Sequence, residues 1–250
     1  MSLADTFLSI EAAVVKFIAA TTSDPPGQYS HVLGTGFVVD ASGIVATNRH
    51  IVDAFRAYGP RVRAVFSVHA GEGSQTMIRH SVVEIVDVDS RVLPTPNGRD
   101  GFIWYGQDPP DLALIQVRLK GLPAVALAND KDTSLRPGVA IATAGYPLGQ
   151  RGLHLLGKWN QHMPFLRAGI ISSVFPMTGT PKPHGFTIDI LQQGGSSGSP
   201  IFLAGHPLVV GMMSSSVIEP ENVSGDSFDI QIRHNTNISI CEPAWLLSQA

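Results

Sequence analysis

Near the start of its last quarter the chain carries Gln193-Gly194-Gly195-Ser196-Ser197-Gly198-Ser199-Pro200-Ile201-Phe202. Glycines on both sides of a serine allow sharp backbone turns and leave room for a substrate carbonyl to approach. A serine in such a turn is a candidate nucleophile. Because a hydroxyl alone is a poor nucleophile, this interpretation requires a histidine to take its proton and a carboxylate to orient that histidine.

The same Gly/Ser composition is also typical of a flexible linker. The flanking sequence favours a structured turn instead. Apolar runs at 186–191 and 200–203 both predict strands, and a tight turn between two strands would explain the placement of the glycines.

Length, composition and charge narrow the classes of protein. With 250 residues and 44% hydrophobic content, the chain can fill one two-lobed domain or two small ones. Charged residues make up 15% and the net charge is −3, so neither nucleic acid nor a membrane surface is expected as a partner. The sequence has no run of about 18 apolar residues.

Cysteine usage bears on the cellular compartment. Cys241 is the single cysteine, so an intramolecular disulfide is excluded and a reducing compartment is favoured. The N-terminus lacks the pattern of a secretory leader. We therefore expect a cytoplasmic location.

The order of apolar runs and turn residues predicts an all-β protein. A short helix and then a strand are expected over residues 1–20, and Asp40-Ala-Ser-Gly43 joins the strands 33–39 and 44–47 in a hairpin. Further strands are predicted at 61–68, 77–88, 111–117, 139–143, 167–174, 186–190, 208–213 and 237–241, with a C-terminal helix from about 243. The stretches 87–110 and 150–164 are predicted to be irregular. Many short strands with few helices indicate antiparallel barrels.

Two further residues fit the chemistry that the serine needs. His50 comes at the end of the predicted strand 44–47, just before a short helical stretch that runs to Phe55. Asp111 stands in front of an almost wholly apolar strand, so we expect it to be partly buried. The two residues and Ser197 are far apart along the chain, and only a tertiary fold could bring them together.

These blocks resemble the chymotrypsin-like (trypsin-fold) serine peptidases, most closely the protease domain of the HtrA/DegP group. The similar segments stand in the family's order: 34–39 and 44–52 around the histidine, 111–117 at the aspartate, 142–149, and 195–200 at the serine. The resemblance implies two antiparallel six-stranded β-barrels with the active site in the cleft between them. Residues 1–121 would form the lobe that carries histidine and aspartate, and residues 122–250 the lobe that carries serine.

The resemblance also implies the role of each residue. Ser197 would be the nucleophile, His50 the general base and acid, and Asp111 the group that orients the imidazole. The backbone N–H groups of Gly195 and Ser197 would form the oxyanion hole. The neighbouring serines, Ser196 and Ser199, compete for the nucleophile's role, but the family pattern Gly-x-Ser-Gly-x-Pro selects Ser197.

The alignment to this family suggests a specificity pocket. Leu191 would lie at its base, and the strand beside the substrate would be formed by Met213, Ser214, Ser215 and Ser216. An apolar base favours small or medium apolar side chains before the scissile bond. Asp189 is eight positions before Ser197 and is expected to be structural, so cleavage after Lys or Arg should be poor.

Polypeptides are the expected substrates, and neither a metal nor another cofactor is expected, because the nine histidines are scattered and none sits at zinc-ligand spacing. HtrA proteins typically carry a peptide-binding (PDZ) domain after the protease lobe, which this sequence lacks, so their chaperone role and trimeric assembly are not carried over. The oligomeric state is left open. The alternative to a serine endopeptidase is a catalytically silent binding or scaffold protein on the same fold, with a collapsed oxyanion loop or a cleft blocked by residues 150–164.

Overall fold

The computed structural model describes residues 1–24, 30–70, 77–87, 110–129, 135–147, 154–155, 159–160, 163–180, 182–225 and 228–249. The predicted irregular stretch 87–110 lies almost wholly outside these ranges, and so does most of 150–164. Within them the chain is mainly β-structure, as predicted. Its strands are β1 Val14–Ala19, β2 His31–Asp40, β3 Ile44–Thr47, β4 Val62–Ala70, β5 Met77–Asp87, β6 Ala113–Val117, β7 Ala126–Leu127, β8 Ala140–Gly145, β9 His154–Leu155, β10 Trp159–Asn160, β11 Phe165–Phe175, β12 Gly185–Ile188, β13 Pro200–Leu203, β14 Leu208–Gly225 and β15 Phe228–Pro243.

The N-terminal segment folds as the sequence predicts, a helix followed by a strand. Helix α1 spans Leu3–Glu11. Its N-terminus is closed by a capping box, because the Ser2 hydroxyl accepts the Asp5 N–H at 3.1 Å and the Asp5 carboxylate accepts the Ser2 N–H at 3.2 Å. The chain then enters β1, which is buried along its whole length.

The first lobe is a closed six-stranded barrel in the order β1-β2-β3-β6-β5-β4. The predicted hairpin joins β2 to β3 through Gly43, whose φ of 101° and close approach to the Leu119 carbonyl leave no room for a side chain. Apolar side chains from every side fill the barrel, and Phe17, Phe55 and Phe66 are the largest of them. The second α-helix of the described chain, α2 Arg49–Tyr58, packs Phe55 edge-on against Phe17.

The second lobe is a curled sheet in the order β13-β8-β11-β12-β15-β14-β7. Strand β13 also pairs with β14, which curls the sheet into the second barrel of the predicted double-barrel fold. The predicted C-terminal helix is present as a 3₁₀-helix, Ala244–Gln249. It is held by burial of Trp245, whose indole N–H donates to the Pro183 carbonyl at 2.9 Å.

A continuous apolar core joins the two lobes. Val14 and Phe37 from the first barrel pack in the same buried cluster as Ile201, Phe202 and Met212 from the second. The shared cluster therefore holds the two barrels against each other, and the loops at their contact are positioned by both barrels.

Strands β14 and β15 are far longer than predicted. They pair from Gly211 with Pro243 to Gly225 with Phe228, whereas the predicted strands ended at 213 and began at 237. Within the described residues, the part of this hairpin beyond Ile218 pairs only with itself. The alternating Phe-Asp-Ile-Gln-Ile sequence at 228–232 was the available signal, since alternation of apolar and polar residues is typical of a strand. No helix in the described ranges is both long enough and apolar enough to cross a membrane.

Candidate active site

His50 is positioned by the start of helix α2. The helix begins at Arg49, so His50 lies in its first turn. The sequence had suggested instead that His50 comes just before the helix. The N-cap residue Asn48 does not cap the helix with its side chain. Its amide instead donates to the Asp111 carbonyl at 2.7 Å, and the Arg49 guanidinium donates to the Pro110 carbonyl at 2.6 Å. The start of the helix therefore holds the segment that carries the carboxylate.

The carboxylate of Asp111 gathers three hydrogen bonds. One oxygen lies 2.6 Å from His50 Nδ1 and 2.9 Å from the Ser214 hydroxyl, and the other accepts the backbone N–H of His50 at 3.1 Å. Burial raises the pKa of Asp111, but these hydrogen bonds and the charge of His50 outweigh it, so the pKa lies below its usual value. An ionised carboxylate can only accept, so in the neutral imidazole Nδ1 carries the proton and Nε2 has the free lone pair.

The turn that carries Ser197 needs its flanking glycines. Gly195 has φ of 93° and Gly198 φ of 84°. The turn is tied to the adjoining strand by the Gly198 N–H, which donates to the Met213 carbonyl at 2.9 Å. A β-carbon at Gly198 would lie 1.9 Å from the carbonyl oxygen of Thr35, a distance that no side chain tolerates. Glycine here meets both a conformational and a steric requirement.

Thr35 clamps this turn to the first barrel. Its N–H donates to the Ser197 carbonyl at 2.8 Å, and its hydroxyl donates to the Gly195 carbonyl at 2.7 Å while accepting the Tyr146 N–H at 3.1 Å. Sequence reasoning missed this residue. A signal was available, because a threonine between Gly34 and Gly36 in an apolar strand is a polar residue that needs buried partners.

The carbonyls of Gly195 and Ser197 therefore accept hydrogen bonds from Thr35, while within the described ranges the N–H groups of the same two residues remain free to donate. In the described part of the chain, the N–H groups of Gly195 and Ser197 have no acceptor. Two free backbone donors on a rigid turn can receive a developing negative charge on a substrate oxygen.

The Ser197 hydroxyl makes no hydrogen bond to the imidazole of His50 in the described part of the chain. Among the described residues it has two partners, the Gln192 side-chain amide at 3.0 Å and the Ser214 carbonyl at 3.4 Å. Ser214 therefore touches both ends of the site, with its hydroxyl on Asp111 and its carbonyl near Ser197. The fold brings the three predicted residues into one site, with the His50–Asp111 pair formed and the serine turned elsewhere.

The model of the trypsin-like peptidase domain matches residues 34–212 of this chain. That range runs from β2 into β14 and contains His50, Asp111 and Ser197. The chain belongs to the trypsin-like peptidase family. This membership is what the order of its sequence blocks predicts.

Solved structures of HtrA-type proteases share the fold of this chain, which confirms the predicted likeness to that group. The serine endoprotease from Yersinia pestis superposes with a TM-score of 0.59 at 16% sequence identity, covering 100% of this chain and 65% of that one. The HtrA-type protease AlgW with a decapeptide gives 0.57 at 18% identity, with 100% and 66% covered. The chain thus spans slightly less than two thirds of these relatives. No curated protein sequence matches it.

The residues predicted to form the specificity pocket differ in their exposure to solvent. Leu191 is half-buried and its carbonyl accepts a hydrogen bond from the Arg167 guanidinium. Met213 and Ser214 are buried, whereas Ser215 is exposed and Ser216 is half-buried. The Asp189 carboxylate accepts the Ile170 N–H at 2.6 Å. Nowhere in the described ranges do three or more His, Cys, Asp or Glu side chains cluster as a metal site would require.

A second carboxyl group, that of Glu242, contacts the backbone of Asp111. Glu242 accepts the Asp111 N–H at 3.1 Å, from the end of β15. Burial raises the pKa of Glu242 to about 7; the charge of Asp111 adds to this effect, while the Asp111 N–H and the charge of Arg49 oppose it. No local signal in the sequence predicts this contact, because Glu242 and Asp111 come from different lobes.

Proposed function

We propose that this protein is a serine endopeptidase that cleaves peptide bonds through an acyl-enzyme, with Ser197, His50 and Asp111 as its triad. The observation that carries the proposal is the 2.6 Å contact between His50 Nδ1 and the Asp111 carboxylate. That contact fixes the imidazole tautomer with Nε2 as the acceptor, which a general base for a serine hydroxyl requires.

In the proposed reaction Ser197 turns to His50 and its oxygen attacks the substrate carbonyl as Nε2 takes the hydroxyl proton. The resulting oxyanion binds the amides of Gly195 and Ser197, each worth about 10²–10³ in rate in a related class of enzyme. His50 then gives its proton to the leaving amine, whose bond to the carbonyl carbon breaks. Water, activated by the same imidazole, hydrolyses the ester and restores Ser197.

The proposed substrates are polypeptides with a small or medium apolar residue before the cut. Leu191 supports this because it is apolar, and one carboxylate oxygen of Asp189 accepts the Ile170 N–H, which is consistent with a structural role for Asp189. The AlgW relative is described with a decapeptide. A peptide library cleaved efficiently after Lys or Arg, and not after Val, Ala, Leu or Met, would contradict the proposal.

The test of the mechanism is covalent labelling by a fluorophosphonate, read by intact-mass spectrometry. One adduct is expected on the native chain and none on Ser197→Ala. The matched controls are Ser196→Ala and Ser199→Ala, which remove the buried neighbouring hydroxyls and should keep the adduct. An adduct that survives in Ser197→Ala would refute the assigned nucleophile.

A folded native chain that takes no label would favour the alternative, a silent binding protein on the same fold. The Ser197 hydroxyl, which bonds Gln192 and not His50, is the feature that favours this alternative. Turnover of a peptide substrate distinguishes the two functions directly, and Asp111→Asn should lower kcat about 10⁴-fold if the triad acts as proposed.

A further inference from the structure

The Gln192 side chain binds two groups that a substrate would have to reach, the Ser197 hydroxyl and the Ser214 carbonyl. Its amide nitrogen donates to Ser197 Oγ at 3.0 Å and to the Ser214 carbonyl at 3.0 Å. The side chain is buried, with 7% of the residue exposed. One carboxamide therefore engages both the proposed nucleophile and a carbonyl of the strand expected beside the substrate.

The orientation of the carboxamide is fixed by chemistry. An amide nitrogen offers two hydrogens, and here each faces an oxygen. The reversed orientation would set the Gln192 carbonyl oxygen against the carbonyl oxygen of Ser214, two acceptors without a proton between them. The serine hydroxyl can serve as acceptor to Gln192 and as donor to Ser214 in the same arrangement.

The backbone around Gln192 is anchored from outside the site. Asn235 of β15 donates to the Gln192 carbonyl at 2.7 Å, and the Arg167 guanidinium binds the carbonyl of Leu191. On the Gln192 segment these bonds use only the backbone carbonyls. Replacing the Gln192 side chain therefore leaves the anchors in place.

The buried carboxamide is also only partly satisfied. In the described part of the chain, Gln192 Oε1 is buried and accepts no hydrogen bond. A buried acceptor without a partner disfavours the conformation that holds it. The contact with Ser197 is thus opposed by a cost within the same side chain, and modest binding energy can undo it.

We propose that Gln192 is a positioning residue that latches the Ser197 hydroxyl away from His50 and covers the Ser214 carbonyl until a polypeptide substrate displaces it. The inference rests on the proposed function. A substrate extended along 213–216 can donate its own backbone N–H to the Ser214 carbonyl, in the manner of an added β-strand. That exchange removes one partner of the Gln192 amide and frees the serine to rotate.

The latch has a specific kinetic signature. Part of the substrate's binding energy is used to open the latch, so the apparent KM equals the intrinsic value divided by the fraction of molecules that are open. Once substrate is bound the latch is open, and kcat should not depend on it. A residue with a merely structural role would instead lower kcat when replaced.

The experiment compares fluorophosphonate labelling rates of the native chain with Gln192→Ala and Gln192→Met. Both variants lack the donor, but Met fills the space and Ala vacates it. The matched control is Gln193→Ala, at the adjacent glutamine, whose backbone carbonyl accepts the Ser196 N–H. Thermal unfolding confirms that each variant is folded, and Gln192→Leu replaces any 192 variant that is not.

Labelling about two- to tenfold faster in both 192 variants, and unchanged in the control, is expected from the loss of one hydrogen bond. With a peptide substrate both variants should lower KM and keep kcat. Equal rates in all chains would overturn the latch while leaving the proposed function intact. Faster labelling in Gln192→Ala alone would also overturn it, because that result indicates steric blockage. No label on any folded chain would refute both the proposed function and the latch.

Discussion

Replacing Glu242 with glutamine should make the protein more stable at alkaline pH and leave it unchanged at acidic pH. Glutamine keeps the side-chain oxygen that accepts the Asp111 N–H, but it cannot ionise. The exchange therefore removes a buried charge beside the carboxylate of Asp111 without removing the hydrogen bond.

The magnitude follows from the pKa of Glu242, which burial raises from 4.5 to about 7. Between these values the folded chain binds more protons than the unfolded chain, so native stability falls as pH rises. Each pKa unit is worth about 1.4 kcal/mol, which gives a loss of up to about 3 kcal/mol that is complete above pH 7. The pKa of Asp111 is lowered, so its own contribution is lost in acid, and it is common to both chains.

The assay is urea unfolding followed by tryptophan fluorescence at pH 4, 6 and 8, for the native chain, Glu242→Gln and the exposed control Glu219→Gln. The free energies of unfolding of the native chain and Glu242→Gln should coincide at pH 4. At pH 8 Glu242→Gln should be more stable than the native chain by up to about 3 kcal/mol. The control should show no such trend. A difference that stays constant with pH, or a less stable Glu242→Gln at pH 8, would refute the reasoning.

Three other substitutions test the packing around the site. Thr35→Val should cost about 1–3 kcal/mol and lower kcat, because it strips the buried Gly195 carbonyl of its donor, and Thr35→Ser should restore both. Gly198→Ala should destabilise the fold by more than the 1–2 kcal/mol or so of a left-handed conformation alone, whereas Gly194→Ala, where a β-carbon meets nothing within 4 Å, should unfold with the native midpoint. Burial lowers the pKa of Lys16 to about 8, so Lys16→Met should add up to about 3 kcal/mol at pH 7, and the gain should vanish as pH rises towards 10.5.

The sequence could predict the elements whose signals are local. Alternating and β-branched runs predicted the hairpin of β2 and β3, and the expected helix before a first strand is present. The order of the blocks around His50, Asp111 and Ser197 predicted both the family and the double barrel. These features are readable because strand period, turn residues and motif order are properties of neighbouring positions.

Predictions failed where a neighbour in space decides the outcome. The strand ending at 213 was expected to stop there, but β14 continues to Gly225 because β15 pairs with it along its length. Pairing partners such as this one come from distant parts of the chain.

The sequence by itself determined the chemistry available to this protein: a serine between glycines, a histidine at a strand end and an aspartate before an apolar strand. Only the tertiary structure decided how those groups meet. Thr35 and Glu242 act on the site through contacts between the two lobes, and Gln192 acts through a contact with Ser197 inside the second lobe. Hydrogen bonds act over about 3 Å, so their partners are set by the packing of the barrels and not by positions along the chain.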